Sequence, residues 1–304
     1  MMMRITIAGD IGSGKTTIAR IVGEKLGVKP LSTGGIQRQL AAARGVDTIT
    51  LNLLAEEDPS IDAAIDGHLR SLPEGPLVVE SRMAWRFVPD TLKVFLYVVS
   101  EAAAERIVSA SRGDEVYSHQ QHALRAIDAR RMSEIKRFSK YYAVNIADLR
   151  NYDLVVDTTH ATPRLVADKI LSQEAVPAAT DIWLSPLDLV PTQSVAGLQE
   201  ARALDLMHEI RKSGFDHMPP ISVLYVDHVF YIADGHARAV AAVRSGVALL
   251  PAVLVAADGE QYRPGVTAEG YVKDAVSNSL IYDWENAVGV KYKYPIQADA
   301  RPKR

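Results

Sequence analysis

Short apolar runs alternate with amphipathic stretches through the first half of the chain. Runs rich in Val, Ile and Leu predict strands at 4–8, 28–31, 77–80, 93–99 and 154–157. Apolar residues that recur every three or four positions predict helices at 15–26, 35–44, 61–72, 101–111, 119–142 and 162–171. Ser60 is the predicted N-cap of the third of these helices. Strands that alternate with helices are typical of a parallel sheet with helices on both faces, so we expect an α/β fold.

The order of elements changes after SQEAVPAAT at 172–180, a small, polar segment that contains proline. Its composition predicts a linker at 174–180, which follows a first domain at 1–173. Beyond it the pattern predicts a smaller α+β domain at 181–258, with strands at 221–226, 229–233 and 249–255 and helices at 197–213 and 235–245. The tail at 259–304 has scattered Tyr, Pro and Lys without a clear period, and we assign no element to it.

The composition excludes several classes of protein. The chain has 304 residues, which agrees with two domains, and 48% hydrophobic with 23% charged residues is ordinary for a globular protein. There is no cysteine, so a disulfide scaffold, a thiolate metal site and a cysteine nucleophile are excluded. A net charge of -3 does not favour a nucleic-acid binder. No apolar stretch is long enough for a signal peptide or membrane span, so we expect a cytoplasmic protein without a membrane partner.

The segment GDIGSGKT at 9–16 fits the phosphate-loop pattern G-x-x-x-x-G-K-[ST], and it lies between a predicted strand and a predicted helix. Its backbone N–H groups can turn toward phosphate oxygens, and the positive end of the helix faces the same anion. Lys15 supplies a charge to the β- and γ-phosphates, and the Thr16 hydroxyl is a ligand for Mg²⁺. The predicted ATP-binding residues are Gly9, Asp10, Gly12, Ser13, Gly14, Lys15, Thr16 and Thr17. A phosphate loop alone does not separate GTPases, ATPases and kinases.

The chain resembles the cytidylate kinase family, in its short archaeal form, over about 4–171. The resemblance rests on segments in the order and spacing of that family: ITIAGDIGSGKTTIAR, KLGVKPLSTGGIQRQLAAARG, EEDPSIDAAID, VVESRMA, FLYVVSEAAAERI and RFSKYYAVNIADLRNYDLVVDTT. It implies a nucleoside monophosphate kinase that transfers the γ-phosphoryl group of ATP, with Mg²⁺, to CMP or dCMP.

Two arginines are candidates for holding the phosphate of such an acceptor, because a guanidinium can bind a phosphate dianion with two parallel hydrogen bonds. Arg38 lies in STGGIQR, where the resemblance implies that the hydroxyl of Ser32 or Thr33 joins it. Arg82 follows the strand that ends at Glu80, and ligands of a parallel sheet bind at the carboxyl ends of its strands. The alternative is that both arginines are solvated surface residues.

Glu80 is a candidate for binding Mg²⁺ or for supporting its ligands. The family often has D-G-R-D where this chain has ESRM at 80–83. The second acidic residue of that run is therefore replaced by methionine, which leaves the contacts to cytosine and sugar open.

The charge that develops on a transferred phosphoryl group is neutralised in such kinases by a mobile lid that carries arginines. The candidates are Arg106, Arg112, Arg130 and Arg131, and the resemblance favours Arg112 together with Arg130 or Arg131. Six Lys or Arg and two Asp or Glu lie between 125 and 140. A solvated helix face has the same composition, so that alternative stays open.

The second domain resembles the ParB/sulfiredoxin-like fold at LDLVPTQ, at PPISVLYVDHVFYIADGHARAVAAVRSG and at LPAVLV. In relatives the turn between the strand and the helix holds nucleotide phosphates, which here implies a site at Asp234, Gly235, His236 and Arg238 for CTP or another nucleotide. Sulfiredoxin activity needs a cysteine that this chain lacks, and Gln193 stands where free-serine kinases have a glutamate. Asp234 and His236 could also serve only to fix a tight turn.

Three hypotheses follow for the whole chain. The first is a cytidylate kinase with an appended nucleotide-binding module. The second is a bifunctional protein whose second domain phosphorylates a small hydroxyl compound such as free serine. The third is a nucleotide-gated switch that hydrolyses slowly and binds partners, but a switch does not need arginines for an acceptor phosphate.

Overall fold

The structure is a computed structural model that describes residues 3–109, 120–173, 175–198, 200–215, 218–289 and 291. The chain divides into two compact units, Met1–Thr180 and Asp181–Arg304. The limits of the linker and of the smaller domain stay predictions. Within the described ranges, no helix has the length and apolar character needed to cross a membrane.

The first unit alternates strands and helices along the chain. Its strands are β1 (Arg4–Gly9), β2 (Leu31–Ser32), β3 (Leu77–Glu80), β4 (Leu92–Tyr97) and β5 (Leu154–Asp157). Its helices are α1 (Lys15–Leu26), α2 (Thr33–Ala43), α3 (Thr48–Leu54), α4 (Pro59–Arg70), α5 (Ala84–Phe87), α6 (Ser100–Ser109), α7 (Gln120–Tyr142) and α8 (Pro163–Leu171).

These strands form a parallel sheet in the order β2-β3-β1-β4-β5. Ile7 of β1 pairs with Glu80 on one side and Val94 on the other. The carboxyl ends of β1 and β3 therefore lie at the same edge, directly before the phosphate loop and Arg82. The predicted α/β fold with a parallel sheet is confirmed.

Consecutive residues are buried along the central strands of this sheet. All of β5 is buried, as is β1 from Ile5 onward. Because successive side chains of a strand point to opposite faces, such burial requires cover on both faces. Helix α5 packs against β1, and α1 packs against α8.

Several predicted boundaries differ from the observed ones. Helix α4 begins at Pro59, and its N-cap is Asp58, whose carboxylate accepts a hydrogen bond from the Ser60 amide at 2.9 Å. The prediction of Ser60 as the cap was therefore wrong by two positions. Strand β2 is confined to Leu31 and Ser32 because only these residues pair with β3. The end of the predicted helix at 101–111 and the start of that at 119–142 lie outside the described residues.

The second unit contains a mixed sheet in the order β6-β10-β8-β9-β7. Its strands are β6 (Asp181–Leu184), β7 (Val190–Pro191), β8 (Ile221–Val226), β9 (Val229–Asp234) and β10 (Leu250–Ala257). Strand β10 runs antiparallel to β6 and parallel to β8, and β8 runs antiparallel to β9. Helices α9 (Glu200–Ser213) and α10 (His236–Arg244) pack on each other.

Regular structure continues past Gly259, where the sequence pattern predicted none. The elements are β11 (Gln261–Arg263), β12 (Val266–Thr267), α11 (Ala268–Ala275) and α12 (Asn278–Val288). Ala268 and Val272 of α11 join a buried cluster with Leu224 and Tyr231. Trp284 of α12 is buried against Val240 of α10. Residues 261–288 thus contribute to the core of the second unit.

Candidate active site

The phosphate loop joins β1 to α1 with the geometry that its glycines require. Gly9 and Gly14 have φ of 144° and 81°, and a Cβ on Gly9 would lie 2.4 Å from the Leu96 carbonyl oxygen. The N-terminus of α1 has no side-chain cap. Its first N–H groups can therefore bind an anion, as the motif predicts. The Ser13 hydroxyl donates to the Asp10 carbonyl oxygen at 2.8 Å and closes the turn.

Lys15 lies folded over this loop. Its ammonium donates to the Gly9 carbonyl at 3.0 Å and to the Asp10 carbonyl at 2.5 Å. Burial, together with the positive charge of Arg82, holds the pKa of Lys15 well below its usual value, whereas nearby carboxylates, Glu80 foremost, act in the opposite direction. An incoming phosphate would relieve this unfavourable environment, so Lys15 is suited to bind an anion.

Thr16 and Glu80 bring two oxygen donors together at the start of α1. The Thr16 hydroxyl donates to the Glu80 carboxylate at 3.0 Å, across the edge where β3 ends. A hydroxyl and a carboxylate are donors that Mg²⁺ prefers, and Mg²⁺ is usually completed by substrate phosphates and water. Among the described residues, no group of three or more His, Cys, Asp or Glu could hold a metal by itself. The donor set thus fits a cation that binds together with a nucleotide.

Arg82 and Arg130 meet at one buried carboxylate, that of Glu134. The Arg82 Nε donates to Glu134 Oε2 at 2.8 Å, and the Arg130 Nε donates to Oε1 at 3.2 Å. Arg82 also donates from Nη1 to the Gly9 carbonyl. The structure therefore brings a predicted acceptor residue, Arg82, to the phosphate loop and joins it through Glu134 to a predicted lid residue, Arg130.

Glu134 was not predicted from the sequence. Its side chain is 8% exposed. Burial alone would raise the pKa of Glu134, but the surrounding cations, Arg82 first and then Arg130, Arg137 and Lys15, lower it overall. The only sequence signal was the spacing of four between Arg130 and Glu134 in a helix, which also occurs on solvated faces.

Ser32, Thr33 and Glu80 are also brought together. Ser32 pairs with Glu80 in the sheet, and the Thr33 hydroxyl lies 3.4 Å from the Glu80 carbonyl to which it donates. Arg38, on α2, is exposed. Thr17 is exposed on the first turn of α1.

The remaining predicted lid residues lie in different places. Arg131 donates to the Ser100 hydroxyl at 2.9 Å and pairs with Asp128 on its own helix. Arg112 lies outside the described residues.

Arg106 ties the phosphate loop to the segment that follows β5. It donates to the Gly12 carbonyl at 3.1 Å and to the Thr158 and Thr159 carbonyls at 2.6 and 3.0 Å. All of these partners are backbone oxygens, so Arg106 fixes the backbone of the loop in this structure.

In the predicted turn of the second unit, Arg238 contacts the protein itself, whereas the Asp234 side chain is exposed. Gly235 has φ of 98°, and α10 begins at His236 without a side-chain cap. Arg238 donates to the Pro219 and Pro220 carbonyls at 2.8 and 2.6 Å and pairs with Asp234 at 2.9 Å.

His236 is buried, and its Nε2 accepts a hydrogen bond from the Thr192 amide at 3.2 Å. Burial lowers the pKa of His236 to about 4, although Asp234 opposes this shift. The imidazole is therefore neutral near pH 7, so it can offer an anion a hydrogen bond but no charge.

The sequence of the first unit has clear relatives. A model of the cytidylate kinase-like family matches residues 4–160. The cytidylate kinase of Methanocella arvoryzae is 38% identical over 159 residues, which are 52% of this chain and 88% of that protein. The cytidylate kinase of Methanopyrus kandleri is 40% identical over 168 residues, which are 51% of this chain and 84% of that protein.

A solved sulfiredoxin from Arabidopsis thaliana is 22% identical, with a TM-score of 0.21, and covers 24% of this chain and 82% of its own. The match over residues 4–160 includes the phosphate loop, Arg82 and Glu134, so the chain belongs to the cytidylate kinase-like family and is a nucleoside monophosphate kinase.

Proposed function

We propose that the first unit transfers the γ-phosphoryl group of ATP to CMP or dCMP and releases ADP with CDP or dCDP. The observation that carries this proposal is that Lys15 and Arg82 both contact the phosphate loop and that one buried carboxylate, Glu134, joins Arg82 to Arg130. A protein that only bound or hydrolysed a nucleotide would not need cations for an acceptor phosphate.

In this proposal the donor binds at the phosphate loop. Backbone N–H groups of the loop and the Lys15 ammonium hold the β- and γ-phosphates. Thr16 and Glu80 would hold Mg²⁺, which when bound neutralises charge on the phosphate oxygens. Lys15 exchanges its backbone carbonyl partners for phosphate oxygens when ATP arrives.

The acceptor phosphate binds to Arg82 and Arg38, with a hydroxyl of Ser32 or Thr33 beside them. One of its oxygens forms a bond to the γ-phosphorus while the bond from that phosphorus to the β,γ-bridging oxygen breaks, and ADP leaves with the bond's electrons. Lys15 and Arg130 stabilise the negative charge on the group in transit, and Arg131 and Arg112 are further candidates for this role. Arginines suit this task because they stay charged at every working pH.

An assay of ADP release tests the assignment across CMP, dCMP, UMP, AMP and serine. We expect the highest kcat/KM with CMP or dCMP, in a reaction that requires Mg²⁺. Lys15→Ala should abolish this activity, and Lys25→Ala is the matched control because Lys25 forms a surface ion pair with Asp168 on the same unit. The proposal would be contradicted if the wild-type protein released ADP in the presence of CMP or dCMP no faster than the Lys15→Ala variant.

For the second unit we infer a ParB/sulfiredoxin-like module that binds the phosphates of CTP or another nucleotide. The left-handed Gly235 and the uncapped start of α10 support it, because both leave N–H groups that can face an anion. Glu200 is the next carboxylate after Gln193 and could replace the glutamate of free-serine kinases, but it pairs with Arg244 at 2.5 Å, which does not favour that role. Calorimetry with CTP on Lys15→Ala protein tests the module separately from the phosphate loop, and no heat would contradict it.

A further inference from the structure

Glu134 is a buried acid that the proposed reaction does not use directly. Each of its carboxylate oxygens accepts a hydrogen bond from the Nε of a different arginine, Arg82 after β3 and Arg130 one turn earlier on α7. The carboxylate thus links two elements that are far apart in the sequence, and one of its partners, Arg82, also contacts the phosphate loop.

The charges around Glu134 show why a carboxylate is needed there. Lys15 and Arg82 both donate to the Gly9 carbonyl oxygen, so these two cations lie close enough to repel each other. Arg130 and Arg137 add further positive charge around Glu134. Without Glu134, the ion pairs that hold Arg82 and Arg130 before the nucleotides arrive would be lost, and repulsion would move both side chains.

The geometry also sets the orientation of both side chains. A guanidinium bound through Nε has its plane fixed by that bond, and Arg82 is fixed a second time through Nη1 at the Gly9 carbonyl. We propose that Glu134 is a positioning residue that holds Arg82 and Arg130 ready for phosphate oxygens. This proposal rests on the proposed function, because it assigns Glu134 a role only through arginines that act in phosphoryl transfer.

Two other roles for Glu134 give different results. A purely structural residue would lower stability and leave the kinetics of the folded enzyme unchanged. If Glu134 contacted the acceptor directly, its replacement would lower the activity by the same factor whether or not the arginines are present. Positioning through the arginines predicts instead that the effect of Glu134 depends on them.

The first test is Glu134→Gln, which keeps the shape of the side chain and removes its charge. We expect kcat/KM for CMP to fall about 10- to 100-fold, the usual effect of losing a charge-assisted bond, while KM for ATP changes less than about twofold. Glu24→Gln is the matched control, because Glu24 forms an exposed ion pair with Arg20 on α1. Glu134→Asp keeps the charge and should recover part of the activity.

A double-mutant cycle decides between the roles. In an Arg130→Ala or Arg82→Ala background, the loss caused by Glu134→Gln should shrink by at least about threefold, because one of its two partners is gone. Additive losses in both backgrounds, or unchanged kcat/KM in Glu134→Gln, would overturn the inference and leave the kinase assignment intact. Absence of CMP-dependent activity in the wild-type protein would overturn both. If Glu134→Gln unfolds, the same cycle is measured with Glu134→Asp, with thermal unfolding recorded for every variant.

Discussion

Arg137 forms the most deeply buried ion pair that we find in the described part of the first unit. Its side chain is 1% exposed, and its Nε lies 3.2 Å from Oδ2 of Asp62, which is 7% exposed. Arg137 also donates to the backbone carbonyl of Asn52 at 3.3 Å. Through these contacts Arg137 joins α7 to α3 and α4, so loss of the ion pair should lower the free energy of unfolding of the first unit.

Arg137→Met removes the charge and keeps an apolar chain of similar reach. Asp62 then lies buried beside two other acids, Asp66 and Glu134, without its cation. Removing one partner of a buried pair costs about 3–5 kcal/mol, because the remaining charge has lost its compensation. For a unit of this size, that corresponds to a fall in Tm of about 6–20 °C.

Urea unfolding at pH 7.5 measures this loss, with Arg125→Met as the control because Arg125 is exposed on the same helix. The control should change the free energy of unfolding by less than about 0.5 kcal/mol. The double variant Asp62→Leu with Arg137→Met should recover most of the loss, since it removes both charges. A loss below about 1 kcal/mol in Arg137→Met would refute the reasoning.

The pH dependence of the same variant provides a second check. Burial raises the pKa of Asp62, and Arg137 opposes this rise. In Arg137→Met the pKa should therefore be higher still in the folded protein and ordinary in the unfolded chain. The folded state then takes up a proton as the pH falls toward that pKa, so the loss should shrink at acidic pH. A loss of unfolding free energy that is the same at acidic pH as at pH 7.5 would contradict this explanation.

Four further outcomes are expected. Lys15→Ala should lower kcat by about 100-fold or more without unfolding the protein, and near-normal turnover would contradict the kinase site. Arg82→Ala and Arg38→Ala should each lower kcat/KM for CMP by about one to two decades, with ATP affinity nearly unchanged, and a loss of ATP affinity alone would reverse the assignment. The kcat/KM for ATP should fall at a lower pH than kcat does as the pH rises. Burial and Arg82 depress the pKa of Lys15 in the free enzyme, whereas bound phosphates raise it in the nucleotide complex. Coincident pH profiles of the two parameters would argue against this assignment. Arg238→Ala should weaken the binding of CTP measured by calorimetry on Lys15→Ala protein, and equal affinity would leave the turn as a structural feature.

The local sequence pattern predicted those helices and strands whose bounds depend mainly on neighbouring residues in the chain. Helix α1 and strands β3 and β5 have the predicted bounds, because each combines a clear apolar period with a turn or glycine at its end. The phosphate loop was predictable because its glycines are required by the backbone itself, as the contact of Gly9 with Leu96 shows. The apolar run at 28–31 predicted a strand near β2 but not its bounds, and β7 was not predicted, because both two-residue strands are defined only by pairing with a neighbouring strand.

The last helices of the second unit also could not be predicted from the local sequence pattern. Trp284 of α12 donates from its indole to the Gln193 carbonyl and lies beside the ring of His236. The place of α12 therefore depends on residues that are almost a hundred positions earlier in the chain. The pattern after Gly259 has few apolar residues in succession, and only the tertiary contacts make these helices part of the core.

Met83, the last residue of the run at 80–83, lies where the structure does not favour an acid. Met83 is 4% exposed and packs in the core at the start of α5, where a carboxylate would be costly. The acid that faces Arg82 comes from α7, as Glu134, and it faces Arg130 at the same time. One buried carboxylate thus pairs with two arginines, whereas Arg38 is exposed. If both Arg82 and Arg38 bind the acceptor as proposed, the conformational entropy of Arg82 is lost on folding and that of Arg38 on binding, so Arg82 would be the preorganised half of the proposed acceptor site.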